Sequence, residues 1–269
     1  MIKIGIIAGG GILPIVIGQN LVKKNYKIVF FVIDQYFDKK KYSNFKTVKI
    51  TLNSIKTIFN ELKKHEVTSL ILVGNIKRPS ISDLKLDIDT LKFVKKFLLE
   101  KKGDNKLLIS IQEFFCNKGF KFFDWRNHCN DLFSVEKNLT RNRPTKNSIK
   151  NLNKSRDLIK NFAKLDLGQS IIIQNQIILG VEAAEGTDQL ITRCKNYKTK
   201  GDKGILVKFS KSNQSLILDI PTIGMNTVKL IKKFGYEGIF LEKNKCIILE
   251  KDKIKKYADQ NNIFIATIN

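Results

Sequence analysis

The sequence predicts an α/β protein of two domains: an amino-terminal Rossmann-like wound α/β domain and a distinct carboxyl-terminal α/β domain. Three observations carry this prediction. Short apolar runs of strand length alternate with amphipathic stretches of helix length through the first half. A polar stretch containing Arg141, Asn142, Arg143 and Pro144 then interrupts the periodicity. Beyond it the texture changes to a hairpin pattern followed by further strand and helix signals. The expected boundaries are residues 1–135 for the first domain, 136–150 for a linker and 151–269 for the second. At 269 residues and 42% hydrophobic content, the chain holds enough apolar side chains for two modest cores.

Lys3 to Ala8 reads as a buried strand, Ile12 to Lys24 as a helix and Lys27 to Ile33 as the next strand. Ser54 to Lys64 reads as a helix, Ser69 to Val73 as a strand and Asp83 to Leu99 as a long amphipathic helix. Gly103 to Gly119 follows as a helix whose first turn Asp104 caps or charges, then Phe120 to Phe123 as a strand. In the second half the expected elements are a helix at Leu152 to Leu165 and a hairpin at Ser170 to Glu182 turning near Gln174-Asn175-Gln176. Gly186 to Cys194 reads as a helix, Ile205 to Phe209 and Leu216 to Ile220 as strands, and Thr222 to Phe234 as a helix. A terminal hairpin at Gly238 to Leu249, a helix at Lys251 to Asn261 and a strand at Phe264 to Thr267 complete the pattern.

No run approaches the roughly 20 apolar residues of a spanning helix. The start Met1-Ile2-Lys3-Ile4-Gly5 lacks the features of a secretory signal, so a cytoplasmic location is expected. Cys116, Cys129, Cys194 and Cys246 are scattered, and only His65 and His128 accompany them. Structural zinc and disulfides are therefore not expected, and the cysteines read as small buried hydrophobes. A formal charge of +24 invites a nucleic-acid or an anionic-membrane reading. Yet the lysines are spread along the whole chain, and no nucleic-acid-binding pattern is present. No nucleic-acid partner is expected; attraction to an acidic lipid surface remains an expectation.

Four motifs could carry chemistry. Gly9, Gly10 and Gly11 lie between the first strand and the first helix, where backbone amides and a helix start can meet phosphate oxygens. The spacing is neither G-x-G-x-x-G nor a P-loop, and the segment reads equally as a tight turn. Gly74-Asn75-Ile76-Lys77-Arg78-Pro79 follows the third predicted strand, at the edge where α/β sheets place ligands. Asn75, Lys77 and Arg78 suit a diphosphate or sugar there, and equally a solvated basic loop.

Glu182-Ala183-Ala184-Glu185-Gly186-Thr187-Asp188 leaves a strand and opens a helix. Carboxylates at this density beside small residues can build an oxygen-rich site for Mg²⁺ or for substrate hydroxyls. Helix capping would account for Thr187 and Asp188 but not for Glu182. Asp219-Ile220-Pro221-Thr222 puts one acid among apolar neighbours before a proline, placed to ligate a metal or orient water, with Thr222 available as a cap. With only two histidines, no Ser-His-Asp or Cys-His set can be assembled, so carboxylates would do the chemistry.

Taken together these motifs, with Gly103-Asp104 and Gly204-Ile205-Leu206-Val207-Lys208, resemble the LpxI family of UDP-2,3-diacylglucosamine diphosphatases, in the family's order and over nearly the whole chain. The resemblance implies a lipid-nucleotide substrate held between two domains. It also implies a magnesium-dependent attack of water on the diphosphate, at the phosphorus on the sugar side, releasing UMP and lipid X. Asp219 matches the family's essential catalytic acid. Where the family has Gly-Asp-Asp, this chain has Gly103-Asp104-Asn105, which leaves Asp104 the better metal candidate of the two positions.

On this reading Glu182, Glu185 and Asp188 shape the same site as Asp219, while Gly9, Gly10, Gly11, Asn75, Lys77, Arg78, Thr187, Lys208 and Thr222 contact substrate or phosphate. The expected partners are the lipid-nucleotide itself, the inner face of the cytoplasmic membrane, and a second copy in a homodimer. Phe114, Phe115, Phe120, Phe122 and Phe123 read as core rather than as an acyl channel. The rivals are a nucleotide-dependent oxidoreductase, which lacks the fingerprint spacing and leaves the acidic motifs idle, and a basic nucleic-acid-binding protein.

Overall fold

The computed structural model describes residues 2–76, 104–162, 168–210, 218 and 220–269. The described residues form two compact units: those up to Asn130, together with Leu218, make one, and those from Asp131 on, Leu218 excepted, make the other.

The first unit comprises β1 (Lys3–Ala8), α1 (Leu13–Lys23), β2 (Lys27–Ile33), β3 (Thr47–Ile50), α2 (Ile55–Lys64), β4 (Ser69–Val73), α3 (Asp104–Asn117) and β5 (Lys121–Phe122). All its strands run parallel, in the order β3-β2-β1-β4-β5. Parallel strands are covered on both faces, which is why β2 is an unbroken apolar run, Ile28-Val29-Phe30-Phe31-Val32-Ile33, rather than an alternating one. Ser54 starts α2: its hydroxyl accepts from the Thr57 amide at 3.3 Å, while Ile55, Ile58, Phe59 and Leu62 form the buried stripe. That stripe packs with Phe31, Leu70, Phe115 and Phe120 in one core, and Phe114 and Phe122 pack against it. Each such side chain contributes about 1.5–3 kcal/mol by leaving water.

The second unit comprises α4 (Lys146–Phe162), β6 (Ser170–Gln174), β7 (Ile177–Val181), α5 (Thr187–Cys194), β8 (Ile205–Lys208), β9 (Thr222–Ile223), α6 (Met225–Lys233), β10 (Gly238–Glu242), β11 (Ile247–Ile248), α7 (Lys251–Gln260) and β12 (Phe264–Ile268). Its main sheet has the order β12-β10-β8-β6-β7. β8, β10 and β12 are parallel, and β6 runs antiparallel to both β8 and β7. Ile172, Leu206, Ile239 and Leu241 face Leu190, Val228, Ile231 and Ile254 from α5, α6 and α7. Their neighbours Ile173, Ile205, Val207 and Phe240 face Leu152 of α4 on the opposite side. The β6–β7 turn has Asn175 and Gln176 at φ 50° and 61°, the left-handed pair that a two-residue hairpin requires.

Several expectations need correction. Residues 136–150 are part of the second unit rather than a linker. Leu139 is buried in its core, the Leu139 amide donates to the Ile265 carbonyl at 2.9 Å, and Thr145 donates from both its amide and its hydroxyl to Glu237. Backbone amides, with the Thr145 hydroxyl, thus tie this stretch to the second unit, and α4 begins inside it at Lys146. β3 went unread in the sequence. Thr222 and Ile223 do not open a helix; they pair in parallel with Ile247 and Ile248, and Gly224 then starts α6. Nor do residues 238–249 form a hairpin, because β10 already has β8 and β12 on its two edges. Cys116 is exposed, whereas Cys129, Cys194 and Cys246 are buried as expected, and none of the four is in a disulfide. The helix expected at Asp83 to Leu99 lies outside the described residues, as does most of the strand expected at Leu216 to Ile220.

Candidate functional site

In the first unit, strand order reverses direction between β1 and β4, the switch point at which open α/β sheets bind ligands. The loops after these two strands carry Gly9-Gly10-Gly11 and Gly74-Asn75. The Gly10 amide donates to the Asn75 carbonyl at 2.8 Å, the Asn75 amide returns a bond to the Gly10 carbonyl at 3.0 Å, and the Gly9 amide donates to the Val73 carbonyl at 2.9 Å. The glycines are required by this approach: a Cβ on Gly9 would sit 2.6 Å from the Asn75 carbonyl oxygen. Gly74 has φ +98°, and a Cβ there would lie 2.8 Å from the Gly10 oxygen. Two of the three amides expected to cradle phosphate are therefore committed to the end of β4 and the loop after it. Gly11, at φ +97°, leads into α1, whose first turn has no side-chain cap. Lys77 and Arg78 lie outside the described residues.

In the second unit, the carboxyl ends of β7, β8 and β10 share one sheet edge with the start of β6. Glu182 follows β7, Lys208 ends β8, Ser170 opens β6 opposite Lys208, and Thr187 opens α5. Lys208 is only 4% exposed. Its ammonium donates to the Thr187 hydroxyl at 2.6 Å and the Ser170 hydroxyl at 3.2 Å, and lies 3.9 Å from a Glu182 carboxylate oxygen. Glu182 accepts from the Thr187 hydroxyl at 3.0 Å and from the Gln169 amide at 3.0 Å. Because Thr187 has one proton and gives it to Glu182, the 3.1 Å contact between the Ser170 and Thr187 hydroxyls has Ser170 as donor. The result is a buried, directed chain from ammonium through hydroxyls to carboxylate.

The other acids of the motif turn elsewhere. Glu185 accepts from Arg193 Nε at 2.9 Å and from the Ala183 amide at 3.1 Å. Burial pushes its carboxyl up, but hydrogen bonds from its own backbone, Arg193 and Ala183 outweigh this and hold it below the usual glutamate value. Asp188 accepts from the Asn226 amide group and the Thr227 hydroxyl, both at 2.7 Å, joining the first turns of α5 and α6. Thr222 donates to the Ile220 carbonyl at 2.9 Å and caps no helix. The cap of α5 is Gly186, so neither Thr187 nor Asp188 serves in the capping role that spacing allowed.

Mg²⁺ asks for several hard oxygens in near-octahedral arrangement. Among the described residues no group of three acids, histidines or cysteines could hold a metal ion. Glu182, Glu185 and Asp188, the metal or acid-site candidates of the motif, each hold partners of their own: Thr187 and Gln169, Arg193 and Ala183, and Asn226 and Thr227. The Asp219 residue and the Asp104 side chain lie outside what is described, although α3 does begin at Asp104. Ser170, Glu242 and the Asn226–Thr227 pair are polar groups at this edge that the sequence reading missed. Only Ser170 had a detectable signal, a hydroxyl opening an otherwise apolar strand.

Fold and site together define a two-unit α/β protein, with a ligand-type switch point in one unit and a buried charged cluster at the sheet edge of the other. The LpxI N-terminal domain model matches residues 3–132 and the LpxI C-terminal domain model matches residues 135–266, and the chain belongs to the LpxI family. It is similar to the UDP-2,3-diacylglucosamine pyrophosphatase LpxI of Caulobacter vibrioides, with 24% identity over 276 residues that cover 100% of this chain and 98% of the relative.

Proposed function

We propose that this chain hydrolyses UDP-2,3-diacylglucosamine at its diphosphate, yielding UMP and lipid X for lipid A biosynthesis. The observation that carries the reading is the match of both LpxI domains across the chain, together with a relative of that activity aligned end to end. The geometry supports it at two places. The amides at Gly11 and the uncapped start of α1 offer donors for phosphate oxygens at the switch point of the first unit. The second unit supplies an edge where Lys208 orders Thr187 and Glu182 rather than facing solvent.

Asp219 is proposed as the catalytic acid that orients the attacking water, and Glu182, held by the Thr187 hydroxyl and the Gln169 amide, as a further acid of the reaction. Lys77 and Arg78 are proposed to meet diphosphate charge. Magnesium, if supplied with the substrate, would be held mainly by diphosphate oxygens and by no more than one or two carboxylates, as such ions commonly are. The commitment of the Gly9 and Gly10 amides to the Val73 and Asn75 carbonyls disfavours a dinucleotide-binding loop. Among the described residues no helix is long and apolar enough to cross a membrane. Contact with the inner leaflet through the acyl chains, and assembly into a homodimer, are parts of the proposal, to be read by vesicle flotation and light scattering.

The test is release of UMP from UDP-2,3-diacylglucosamine by the purified chain, with magnesium and with chelator, beside Asp219→Ala. Release that is lost in the folded variant supports the reading. Near-normal release by Asp219→Ala would remove that residue from the mechanism, and undiminished release in chelator would remove magnesium.

A further inference from the structure

Lys208 and Thr187 carry donors of the kind that meet phosphate oxygens, yet at the sheet edge of the second unit those donors are already used. Thr187 has one proton and gives it to a Glu182 oxygen at 3.0 Å, while its own oxygen takes the Lys208 ammonium at 2.6 Å and the Ser170 hydroxyl at 3.1 Å. One donor and two acceptor positions exhaust a hydroxyl. Lys208 spends protons on both hydroxyls, and at 4% exposure it has no open face for an anion. Its charge is met by the other Glu182 oxygen, 3.9 Å away, which also accepts the Gln169 amide at 3.0 Å. Ser170 is buried and stands opposite Lys208 in the β6–β8 register, so the sheet itself fixes where this hydroxyl meets the ammonium.

From this closed set of donors we infer that Lys208, Thr187 and Ser170 are positioning residues, which hold the Glu182 carboxylate in one orientation and contact no phosphate themselves. The inference rests on the proposed part of Glu182 in the reaction. A carboxylate offers about four acceptor positions. The Thr187 hydroxyl and the Gln169 amide take one on each oxygen, so Glu182 keeps positions that can accept from water while its rotation is blocked. Lys208 acts through Thr187: by filling the hydroxyl's acceptor side together with Ser170, it leaves the Thr187 proton only Glu182 to point at. Letting the carboxylate turn would move its oxygens, and a misplacement of about 1 Å at a reacting group can cost on the order of a hundredfold in rate. Such residues act on turnover rather than on substrate affinity.

The test uses the full chain and compares Thr187→Val, Thr187→Ser, Ser170→Ala and Lys208→Met. Two quantities are read: kcat and KM for UDP-2,3-diacylglucosamine, and, without substrate, the NMR shift and exchange rate of the Gln169 amide, whose acceptor is Glu182. Positioning predicts that Thr187→Val lowers kcat on the order of ten- to a hundredfold while KM stays within about twofold. Thr187→Ser, which keeps the hydroxyl, should bring kcat back to within about threefold of wild type. The Gln169 amide should shift and exchange faster in the Val variant and not in the Ser variant. Thr187→Val with Glu182→Gln should be no worse than the poorer single variant. A KM raised on the order of tenfold in Thr187→Val or Lys208→Met, with kcat kept, would mark a phosphate contact and overturn the inference. An unmoved Gln169 amide in Thr187→Val, or multiplying losses in the double variant, would do the same. Thr187→Val leaves the Lys208–Glu182 pair in place, so the test stands even where Lys208→Met unfolds. A moved Gln169 amide in a chain whose wild type shows no turnover would uphold the hold on Glu182 and reject the catalytic reading on which its purpose rests.

Discussion

Replacing Lys208 by Met tests the buried cluster of the second unit. The methionine keeps the apolar stem and removes an ammonium that lies 3.9 Å from Glu182 and donates to Thr187 and Ser170. At that distance and an effective dielectric near 20, the pair attraction is about 4 kcal/mol. The Glu182 side chain is only 11% exposed, so little water can replace the lost partner. Breaking a buried pair by removing one member typically costs about 3–5 kcal/mol, and the Gln169 amide and Thr187 hydroxyl that remain on Glu182 favour the lower half of that range. A loss of this size lowers the Tm of a unit this large by something on the order of 10 °C. Urea unfolding followed by a probe in the second unit would measure it. Adding Glu182→Gln removes the stranded charge, so the double variant should be more stable than Lys208→Met alone. A loss below about 1 kcal/mol for Lys208→Met, or strictly additive losses in the pair, would refute the reasoning.

Gly9→Ala should destabilise the first unit by about 1–3 kcal/mol, since its Cβ would press on the Asn75 carbonyl, whereas Gly11→Ala meets open space and costs only the strain of its positive φ, about 1 kcal/mol; denaturant midpoints compare them directly. Stability of the second unit should fall in acid partly through Glu242. Burial raises its carboxyl, but Lys245 and Ser210 outweigh that and hold it below the usual glutamate value. The native state therefore binds its proton less readily than the unfolded chain does. Its contribution is complete above the unfolded value of about 4.3 and disappears as pH falls through the lower folded value. Glu242→Gln should flatten that part of an acid titration followed by circular dichroism. In the native chain, alkylation should reach Cys116 alone. Cys129, Cys194 and Cys246 are buried, and burial pushes the Cys246 thiol up to about 12, so mass spectrometry should find these three modified only after unfolding.

Strands and helices with long apolar runs or clear stripes, such as β2, β6 and α2, were legible because burial writes a period into the residues themselves. β9 and β11 were not, since two-residue strands carry no period and form only when Pro221 and Ile247 meet across distant sequence. The polar stretch around Arg141 misled because its backbone amides are spent on partners far along the chain, among them the Arg141 amide on Asp259. The candidate site was half legible. Its motifs marked Glu182, Thr187 and Lys208, which do come together. Density of carboxylates alone could not say that Glu185 would turn to Arg193 and Asp188 to Asn226 and Thr227, because partner choice is decided by tertiary distance. Glu242 had no signal at all: an acid ending one apolar strand looks like many others.

Hydrolysis of UDP-2,3-diacylglucosamine in water enriched in oxygen-18, with both products weighed by mass spectrometry, tests the central claim most directly. The account predicts UMP and lipid X in equal amounts, with the heavy oxygen on the phosphate of lipid X and none on UMP. No products from the folded chain, or label on UMP, would contradict it.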